Sequence, residues 1–527
     1  MRAFATLLDE LANAPRRNDK LALMTAYFRS APDPDRGWAL AALTDGLPLR
    51  LPLRRILSDL MAARIDPVLY QLSRDYVGDT AETVSLLWPD FPAPTDPVRL
   101  ADAVKMMMQA SKAELPRIIS QLLDRMTVRE RWAFLKLIGG APRVGVSAKL
   151  AKSALATAID RELSEVEEVW HGLKPPYGPL FAWGDKDAPR PAVSSTALFR
   201  PMMLAVPLED DEIASLPVRE FSAEWKWDGI RVQIAAGNGV ARIFSRTGDD
   251  IGAAFPDVAE AFASQSLVAD GELLIAHDGA VAAFSDLQQR LNRKTVGAEM
   301  IRQYPAFVRL YDLLWLGADD LRALPFTERR RRLEAWHRQS PPRATDLSEL
   351  LAFETMADLS ALRDGARAAA IEGIMLKRKD SPYIAGRPKG YWFKWKRDAL
   401  TLDCVLMYAQ RGSGKRSSYY SDYTFGVWRD AGEQRELVPI GKAYSGFTDD
   451  ELRELDRFVR QNTIEQFGPV RSVKGTLVFE VAFDAIQASK RHKSGLAMRF
   501  PRIKRIRWDK PAEEADTLAT AQNLQGI

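Results

Sequence analysis

Near the middle of this sequence, a lysine stands beside a carboxylate, a glycine and an arginine in Glu224-Trp225-Lys226-Trp227-Asp228-Gly229-Ile230-Arg231. A lysine amine attacks an electrophile such as phosphorus only after it has lost its proton. An ordinary lysine is protonated at neutral pH, so a nucleophilic lysine needs neighbouring cations or an apolar environment that disfavours its charged form. Lys226 is therefore a candidate nucleophile whose chemistry depends on the residues placed around it.

Residues of the types that phosphate chemistry requires follow later in the chain. Lys377, Lys394 and Lys396 are candidate cations, and alternation along a strand would put Lys394 and Lys396 on one face. Glu272 and Glu372 are candidate ligands for Mg²⁺ or Mn²⁺, because such metals prefer oxygen ligands and offset phosphate charge. Together with Lys226, these residues predict a site that transfers a phosphorus-containing group.

The first third of the chain has the sequence pattern of helices. Apolar residues recur at helical spacing from the run Phe4 to Leu11 onwards, and strand-like alternation is scarce before about residue 170. Lys174-Pro175-Pro176-Tyr177-Gly178-Pro179 and then residues 187–196 are rich in helix-breaking or small residues. This region therefore predicts an all-α domain followed by a linker.

After Phe199 the sequence becomes rich in strand patterns. Residues 230–236 and 240–246 are joined by Gly237-Asn238-Gly239, which is typical of a tight hairpin turn. Further strands are predicted at 267–275, 307–316, 373–377 and 391–396, with helices at 257–263 and 327–338. From about Leu402, short strands interrupted by a helix at Thr448 to Gln461 predict a small β-barrel.

The central and C-terminal parts of the chain resemble an ATP-dependent DNA ligase. Lys226 to Arg231 matches the KxDGxR pattern of nucleotidyltransferases that attach a nucleotide covalently to a lysine. The remaining family motifs follow in order as Ser245-Arg246-Thr247-Gly248, Asp270-Gly271-Glu272, Tyr311-Asp312, Glu372 to Lys377, Lys394-Trp395-Lys396, and Arg499-Phe500-Pro501-Arg502 continuing to Arg505, Arg507, Asp509 and Lys510. Each motif alone is weak, and their shared order carries the resemblance.

The resemblance implies a multi-domain architecture with three parts. Residues 1–185 would form an all-α N-terminal DNA-binding domain, with a linker to about residue 198. Residues 199–398 would form an α+β nucleotidyltransferase core, an ATP-grasp-like adenylation domain. Residues 399–527 would form a C-terminal OB-fold β-barrel. Motion of the barrel around residues 397–403 is expected, with Asp398 as a candidate hinge residue.

The resemblance also implies roles for single residues. Lys226 would carry AMP, and Lys394 and Lys396 would contact the α-phosphate. Glu224 would accept a hydrogen bond from the adenine amino group and so favour ATP over GTP. The other ATP-binding residues would be Arg231, Arg246, Glu272, Tyr311, Lys377, Arg499 and Arg505, and the metal ligands would be Glu272 and Glu372.

Candidates for DNA binding come from the helical region and from the barrel. A Gly-containing turn with Arg143, followed by Lys149 and Lys152, is similar to the helical DNA-binding domain of larger archaeal and eukaryotic ligases. Helix N-terminal amides and cations suit phosphates, although a helix cap with exposed lysines is the alternative. Arg411 and Lys415 lie in a segment that lacks the first glycine and the hydroxyl of a P-loop, so they are expected to face the DNA backbone.

Composition excludes several other classes of protein. The net charge is only +4, but residues 490–507 carry many Lys and Arg and no acids. One cysteine excludes an intramolecular disulfide, and four scattered histidines disfavour a zinc site. The N-terminus lacks a signal pattern and no apolar run could span a bilayer, so we expect a cytoplasmic, nucleoid-associated protein without a membrane partner.

The sequence therefore predicts an enzyme that seals 5′-phosphate/3′-hydroxyl nicks in duplex DNA through a lysine–AMP intermediate and a DNA-adenylate. We expect a monomer that encircles its DNA and uses ATP as co-substrate. The alternatives are an RNA ligase, an mRNA-capping guanylyltransferase, an NAD-dependent ligase and a nick-binding protein with a lapsed site. The scarcity of cysteine disfavours the NAD-dependent group, which carries a four-cysteine zinc module, and the intact lysines and acids disfavour the last alternative.

Overall fold

The structure is a computed structural model that describes the whole chain apart from residues 48, 50, 92–96, 141, 186–187, 192–196, 214, 278, 292, 294, 367–370, 413–417, 433 and 526–527. The chain forms two compact units. The first unit comprises Met1–Glu354 and Met375–Lys394, and the second comprises Thr355–Ile374 and Trp395–Ile527. Among the described residues, no helix combines the length and the apolar character needed to cross a membrane.

The N-terminal part of the first unit is helical, as the spacing of its apolar residues predicts. Its helices are α1 (Arg2–Asn13), α2 (Arg17–Ser30), α3 (Asp35–Leu43), α4 (Leu53–Ala62), α5 (Pro67–Val77), α6 (Thr80–Leu87), α7 (Leu100–Gln109), α8 (Leu115–Asp124), α9 (Val128–Ile138), α10 (Ala148–Ala158), α11 (Leu163–Trp170) and α12 (Gly178–Gly184). In α1, the apolar side chains from Phe4 to Leu11 point into one shared core. The prediction of a helical N-terminal region is confirmed.

The prediction of a linker at residues 174–179 is wrong. Tyr177 is buried and stacks on Trp170, with ring centroids 4.5 Å apart. Helix α12 then begins at Gly178 and buries Leu180 and Phe181 in the helical core. The two prolines mark a turn before a short helix, and the apolar residues beyond them hold this segment against the domain. Residue 187 and residues 192–196 of the predicted linker lie outside the described part of the chain.

The rest of the first unit is built on strands. They are β1 (Val206–Pro207), β2 (Phe221–Trp227), β3 (Ile230–Gly237), β4 (Val240–Ser245), β5 (Leu267–His277), β6 (Ala280–Val281), β7 (Ala306–Leu316), β8 (Asp319–Asp320), β9 (Thr345–Leu347) and β10 (Leu350–Leu351). The helices among them are α13 (Asp210–Ile213), α14 (Pro256–Phe262), α15 (Phe284–Arg290), α16 (Ala298–Gln303) and α17 (Phe326–Gln339).

Two sheets organise these strands. One has the order β4-β3-β5-β7-β8, with β6 beside β5 and β9 beside β7. The hairpin between β3 and β4 is confirmed, because Asn238 and Gly239 both have positive φ angles, of 54° and 78°, as a primed turn requires. The other sheet has the order β1-β12-β11-β2-β10, in which β11 (Ile371–Arg378) and β12 (Trp392–Lys396) have ends that belong to the second unit.

The second unit is rich in strands, as predicted. Its further elements are α18 (Met356–Gly365), β13 (Leu400–Arg411), β14 (Tyr420–Ala431), β15 (Gln434–Ala443), α19 (Asp449–Asn462), β16 (Thr463–Phe467), β17 (Val470–Val473), β18 (Val478–Phe483), β19 (Ala485–Ala488), β20 (Leu496–Arg499), β21 (Arg502–Arg507) and α20 (Leu518–Asn523). The main sheet has the order β15-β14-β13-β17-β16, and β18 joins β13 to β21. Cys404 lies in its core, where burial raises the pKa of the thiol.

Candidate nucleotide-binding site

Strand β2 positions the two residues on which the sequence argument began. Glu224 and Lys226 are two residues apart, so their side chains leave the strand on the same face. Glu224 is buried and Lys226 is partly buried. After β2 the chain turns through Gly229, where a Cβ atom would lie only 2.6 Å from the carbonyl oxygen of Leu273. The motif needs glycine there because the neighbouring strand leaves no room for a side chain.

Glu224 lies between two cations in the interior of the first unit. Its Oε2 forms an ion pair with Lys377, and Nη1 of Arg330 donates to its Oε1 at 3.1 Å. The three residues are only 2%, 2% and 6% exposed. Burial raises the pKa of Glu224 and lowers that of Lys377, while each partner's charge opposes the shift of the other. Arg330 was not predicted, because it lies in a run of four arginines and such a run is usually a solvated face.

The ammonium group of Lys377 is surrounded by aromatic rings. Its Nζ lies 4.3 Å from the ring centroid of Tyr311, and 4.9 Å from those of both Phe326 and Trp392. Rings at these distances stabilise a cation through their negative faces. Three residues that the sequence analysis selected separately, Glu224, Tyr311 and Lys377, are therefore brought together by the fold.

Arg231 belongs to a second buried network beside Tyr311. Its Nη2 donates to Oδ2 of Asp270 at 2.7 Å, and the hydroxyl of Tyr383 donates to the same oxygen at 2.6 Å. The Nε–H of Arg231 is buried and has no hydrogen-bond partner among the described residues. An unsatisfied buried donor is costly, so it fits an acceptor supplied by a ligand. Tyr383 was missed by the sequence analysis, since a lone tyrosine in a loop carries no signal.

Arg246, in the loop after β4, lies near two further arginines. Partial burial lowers the pKa of Arg246, and the positive charges of Arg231 and Arg387 lower it further. Like charges held together in this way suit a polyanion such as a triphosphate. Arg387 was not predicted, and Arg246 and Arg231 were.

The helical region packs against the same loop from behind. Gly248 has a φ of 88°, and a Cβ atom there would lie 2.8 Å from the ring of His171, which follows α11. The His171 ring lies 4.9 Å from Phe199 and 5.4 Å from Phe244, measured between ring centroids. Burial, together with the charge of Lys152, lowers the pKa of His171 to about 4.

The predicted metal ligands are carboxylates in different parts of the fold. Glu272 lies on β5 and pairs in register with Arg231 on β3 and Arg309 on β7. Glu372 lies on β11 in the second unit. Among the described residues, no group of three or more Asp, Glu, His or Cys side chains could hold a metal ion. One or two carboxylates can hold Mg²⁺ when the phosphates of a bound nucleotide and water complete its coordination, as is common in nucleotide-binding sites.

Lys394 and Lys396 lie on β12 on either side of the buried Trp395. Nζ of Lys396 lies 3.6 Å from Glu372 and 3.3 Å from Asp484, and Asp484 also accepts from Arg502 at 3.2 Å. Asp484 is thus a further residue that the sequence analysis missed.

Three motif residues that belong to the second unit lie on strands. At Gly373 a Cβ atom would lie 2.2 Å from the carbonyl oxygen of Trp395, so this motif also requires glycine. Arg499 ends β20 and is partly buried, whereas Arg505 is exposed on β21. The predicted basic segment therefore lies on two strands, of which β20 pairs with β19 and β21 pairs with β18.

The residues expected to bind DNA differ in exposure. Arg143 and Lys149 are exposed around the start of α10, where the hydroxyl of Ser147 caps the helix by accepting from Leu150 N at 3.2 Å. Lys152, in contrast, is only 8% exposed, and its Nζ lies 4.7 Å from the ring centroid of Trp170. Its ammonium is therefore buried against Trp170 and is not exposed for a DNA phosphate.

The two barrel candidates differ in what the structure describes. Arg411 is exposed at the end of β13, with its guanidinium carbon 5.9 Å from the ring centroid of Tyr420. Lys415 lies outside the described residues.

Comparison with known proteins assigns the chain to a family. Residues 202–396 match the ATP dependent DNA ligase domain, and residues 416–510 match the ATP dependent DNA ligase C terminal region. A probable DNA ligase of Koribacter versatilis is 38% identical over 433 residues, which cover 77% of this chain and 74% of the relative. DNA ligase 1 of Korarchaeum cryptofilum is 29% identical over 550 residues, covering 99% of this chain and 98% of the relative.

A likeness of fold extends over nearly the whole chain. The solved structure titled Pmar-Lig_PreS3 aligns with a TM-score of 0.61 and 17% identity, covering 96% of this chain and 99% of the other. The chain belongs to the ATP-dependent DNA ligase family. The predictions of a ligase that uses ATP and binds DNA are confirmed.

Proposed function

We propose that this chain seals 5′-phosphate/3′-hydroxyl nicks in duplex DNA through a covalent adenylate on Lys226. In the first step, the neutral Nζ of Lys226 attacks the α-phosphorus of ATP. A P–N bond forms, the bond between the α-phosphorus and the bridging oxygen breaks, and pyrophosphate leaves. The amine loses its proton to solvent, so the product is a lysine–AMP phosphoramide.

Two further transfers complete the reaction. An oxygen of the DNA 5′-phosphate attacks the AMP phosphorus, the P–N bond breaks, and the lysine regains a proton. The 3′-hydroxyl oxygen then attacks the phosphorus of the 5′-phosphate, loses its proton, and expels AMP. The sum is one phosphodiester bond, with ATP converted to AMP and pyrophosphate.

The chain's own residues would bind and orient the nucleotide. Tyr311 offers an aromatic ring for the adenine, Glu224 an acceptor for its amino group, and Arg231 a donor for the sugar or phosphates. Arg246, with Lys394 and Lys396, would offset negative charge on the transferred phosphate. Glu272 and Glu372 would hold Mg²⁺ together with the phosphates, and the metal would stabilise the charge of the leaving group.

The observation that carries this proposal is the placement of Lys226 on β2. It shares one strand face with the buried Glu224, whose partner Lys377 lies against Tyr311. The candidate nucleophile and the acceptor for the base therefore share one strand face, and Lys377 connects that acceptor to the ring for stacking. Arg246, with Arg231 and Arg387 near it, would supply complementary charge for the triphosphate.

Covalent labelling tests the first step. The full chain is incubated with Mg²⁺ and ATP labelled at the α-phosphorus, and the protein is examined for an acid-labile, alkali-stable label. Lys226→Ala should abolish the label, whereas Lys379→Ala, a nearby exposed lysine outside the site, should leave it intact. A label that survives in Lys226→Ala would refute the assignment of the nucleophile.

Substrate comparison tests the remaining steps. A duplex with one 5′-phosphorylated nick should be joined, and omission of the 3′-hydroxyl should trap the DNA-adenylate. The same nick in an RNA duplex should be joined far more slowly. Equal sealing of both nicks would point to an RNA ligase activity.

We also propose an arrangement for the whole chain. Residues 1–185 would bind DNA through Arg143 and Lys149, residues 199–398 would carry out adenylation, and residues 399–527 would form an OB-fold that places Arg411 on the backbone. The chain would act as a monomer that closes around duplex DNA of the nucleoid. Sedimentation of the chain with nicked DNA tests this arrangement, since a complex of two chains with one DNA would contradict it.

A further inference from the structure

We propose that Arg330 is a specificity-determining residue, which fixes Glu224 in the ionised, acceptor-only state that selects adenine. Nothing in the family motifs above includes Arg330, which lies within an arginine-rich helix. The inference rests on the proposed function, because it concerns the nucleotide base at the same site.

Each nitrogen of the Arg330 guanidinium group donates a hydrogen bond, and one of these goes to Glu224. Nη1 donates to Oε1 of Glu224 at 3.1 Å, Nη2 donates to the carbonyl oxygen of Ser348 at 2.7 Å, and Nε donates to Oε1 of Glu334 at 2.7 Å. Arg330 is 6% exposed and Ser348 is 1% exposed. Because a guanidinium is planar and rigid, these three bonds determine where the Glu224 carboxylate can lie.

The bond to Ser348 also fixes the backbone beside Glu224. Ser348 lies between β9 and β10, and Leu350 of β10 is the register partner of Glu224 on β2. Arg330 therefore links the side chain of Glu224 to the segment that leads into β10, and β10 is the strand that pairs with the Glu224 backbone. A change at Arg330 should alter both the charge next to the carboxylate and its position.

The two purine bases differ in the group that they would present to Glu224, and this difference would allow Glu224 to distinguish ATP from GTP. An ionised carboxylate only accepts hydrogen bonds, whereas a protonated carboxyl group can also donate. Adenine presents an amino donor at the position where guanine presents a carbonyl acceptor. Arg330 and Lys377 both favour the ionised form of Glu224 against the effect of burial, and an ionised Glu224 would accept from adenine and repel guanine.

Removal of Arg330 leaves a buried carboxylate with one cation in place of two. Glu224 could then rotate towards Lys377 or take up a proton, and either change weakens its preference for an amino donor. A protonated Glu224 could donate to the guanine carbonyl. The expected result is a loss of discrimination between ATP and GTP, with a smaller effect on the chemical step.

Four forms of the full chain test this proposal: wild type, Arg330→Met, Arg330→Lys and Arg290→Met. Arg290 is the matched control, since it is fully buried in the same unit and pairs with Asp257 on α14, without contact to Glu224. For each form, dissociation constants for ATP and GTP are measured by calorimetry. The kcat and KM of covalent labelling are measured with each nucleotide in the presence of Mg²⁺.

Arg330→Met should reduce the ATP-to-GTP preference at least about tenfold, because it removes the charge-assisted hydrogen bond that holds Glu224 in place, and such a bond contributes about that much free energy. The change should lie mainly in the dissociation constant and KM for ATP, with kcat within about threefold. Arg330→Lys keeps the positive charge but loses the planar guanidinium with its several donors. Its ATP-to-GTP preference should therefore fall between those of wild type and Arg330→Met. Arg290→Met should melt at a lower temperature and keep the wild-type preference.

Three results would overturn the proposal. Arg330→Met could weaken ATP and GTP equally, Arg290→Met could lose the same preference, or both Arg330 variants could fail to fold, which would assign Arg330 to stability alone. Failure of the proposed function looks different. In that case wild type binds ATP selectively but acquires no label on Lys226, and the binding constants still test the role of Arg330.

Discussion

The buried His171, which lies against the loop after β4, should make the stability of the protein depend on pH. His171 packs between Phe199 and Phe244, and its Nε2 is buried without a hydrogen-bond partner among the described residues. Its protonated form would be poorly solvated and would face the charge of Lys152. The pKa of His171 is accordingly lowered from 6.5 to about 4 by burial and, to a smaller extent, by Lys152, while Asp249 opposes the shift.

The sign and size of the effect follow from linkage. Because the pKa is lower in the folded protein, the unfolded chain takes up the proton first as the pH falls. The contribution of neutral His171 to the free energy of unfolding is then complete above pH 6.5 and is lost as the pH falls towards 4. With these two pKa values, His171 alone should remove about 2 kcal/mol of stability between about pH 7.5 and about pH 5.

Urea unfolding of the full chain at these two pH values measures the effect, with helix content followed by circular dichroism. His171→Asn cannot be protonated, so its pH-dependent loss should be smaller than that of wild type by about 2 kcal/mol. His277→Asn is the matched control, because His277 is exposed, and it should behave as wild type. The reasoning is refuted if wild type and His171→Asn lose the same stability between the two pH values.

Three further predictions concern other contacts. Tyr383→Phe removes a hydrogen bond to a buried carboxylate, and should raise the KM for ATP in lysine labelling about tenfold; an unchanged KM would contradict this. Asp484→Asn frees Lys396 from an ion pair of the partly exposed kind, and should speed labelling about two- to fivefold; slower labelling would count against it. Lys149→Ala should reduce the salt slope of DNA binding by about one, measured by titration at several salt concentrations. Lys152→Met should leave that slope unchanged and lower the melting temperature, since its ammonium is buried.

Much of the fold follows from local sequence patterns. The strands β3 and β4 and their turn were predicted because alternation and a Gly-Asn-Gly turn act over a few residues. The segment 174–179 was misassigned because proline and glycine mark a change of direction, not a loss of contact. Whether the chain after residue 179 packs against the helical domain depends on residues such as Trp170 and Phe181. These residues come together only in the folded core.

The candidate site shows the same division between local and distant information. Short motifs selected Glu224, Lys226 and Tyr311 as candidates, because their residue types and order are visible in the sequence. Arg330 could not be found in this way, since it lies 106 residues from Glu224 and its helix carries arginines on several faces. Its neighbour Arg329 is fully buried against Asp312, while the next two arginines are partly or fully exposed, so composition alone does not distinguish them.

The single cysteine has a practical consequence. Cys404 is fully buried, and its raised pKa keeps the thiol protonated. The thiolate is the form that reacts with alkylating dyes, so the native chain should remain unlabelled while folded. Cysteines introduced at the exposed positions Tyr76 and Lys490 would then carry the reactive thiols. Dyes attached to these two introduced cysteines would allow fluorescence distance measurements during the catalytic cycle, and Cys404 would not need to be replaced.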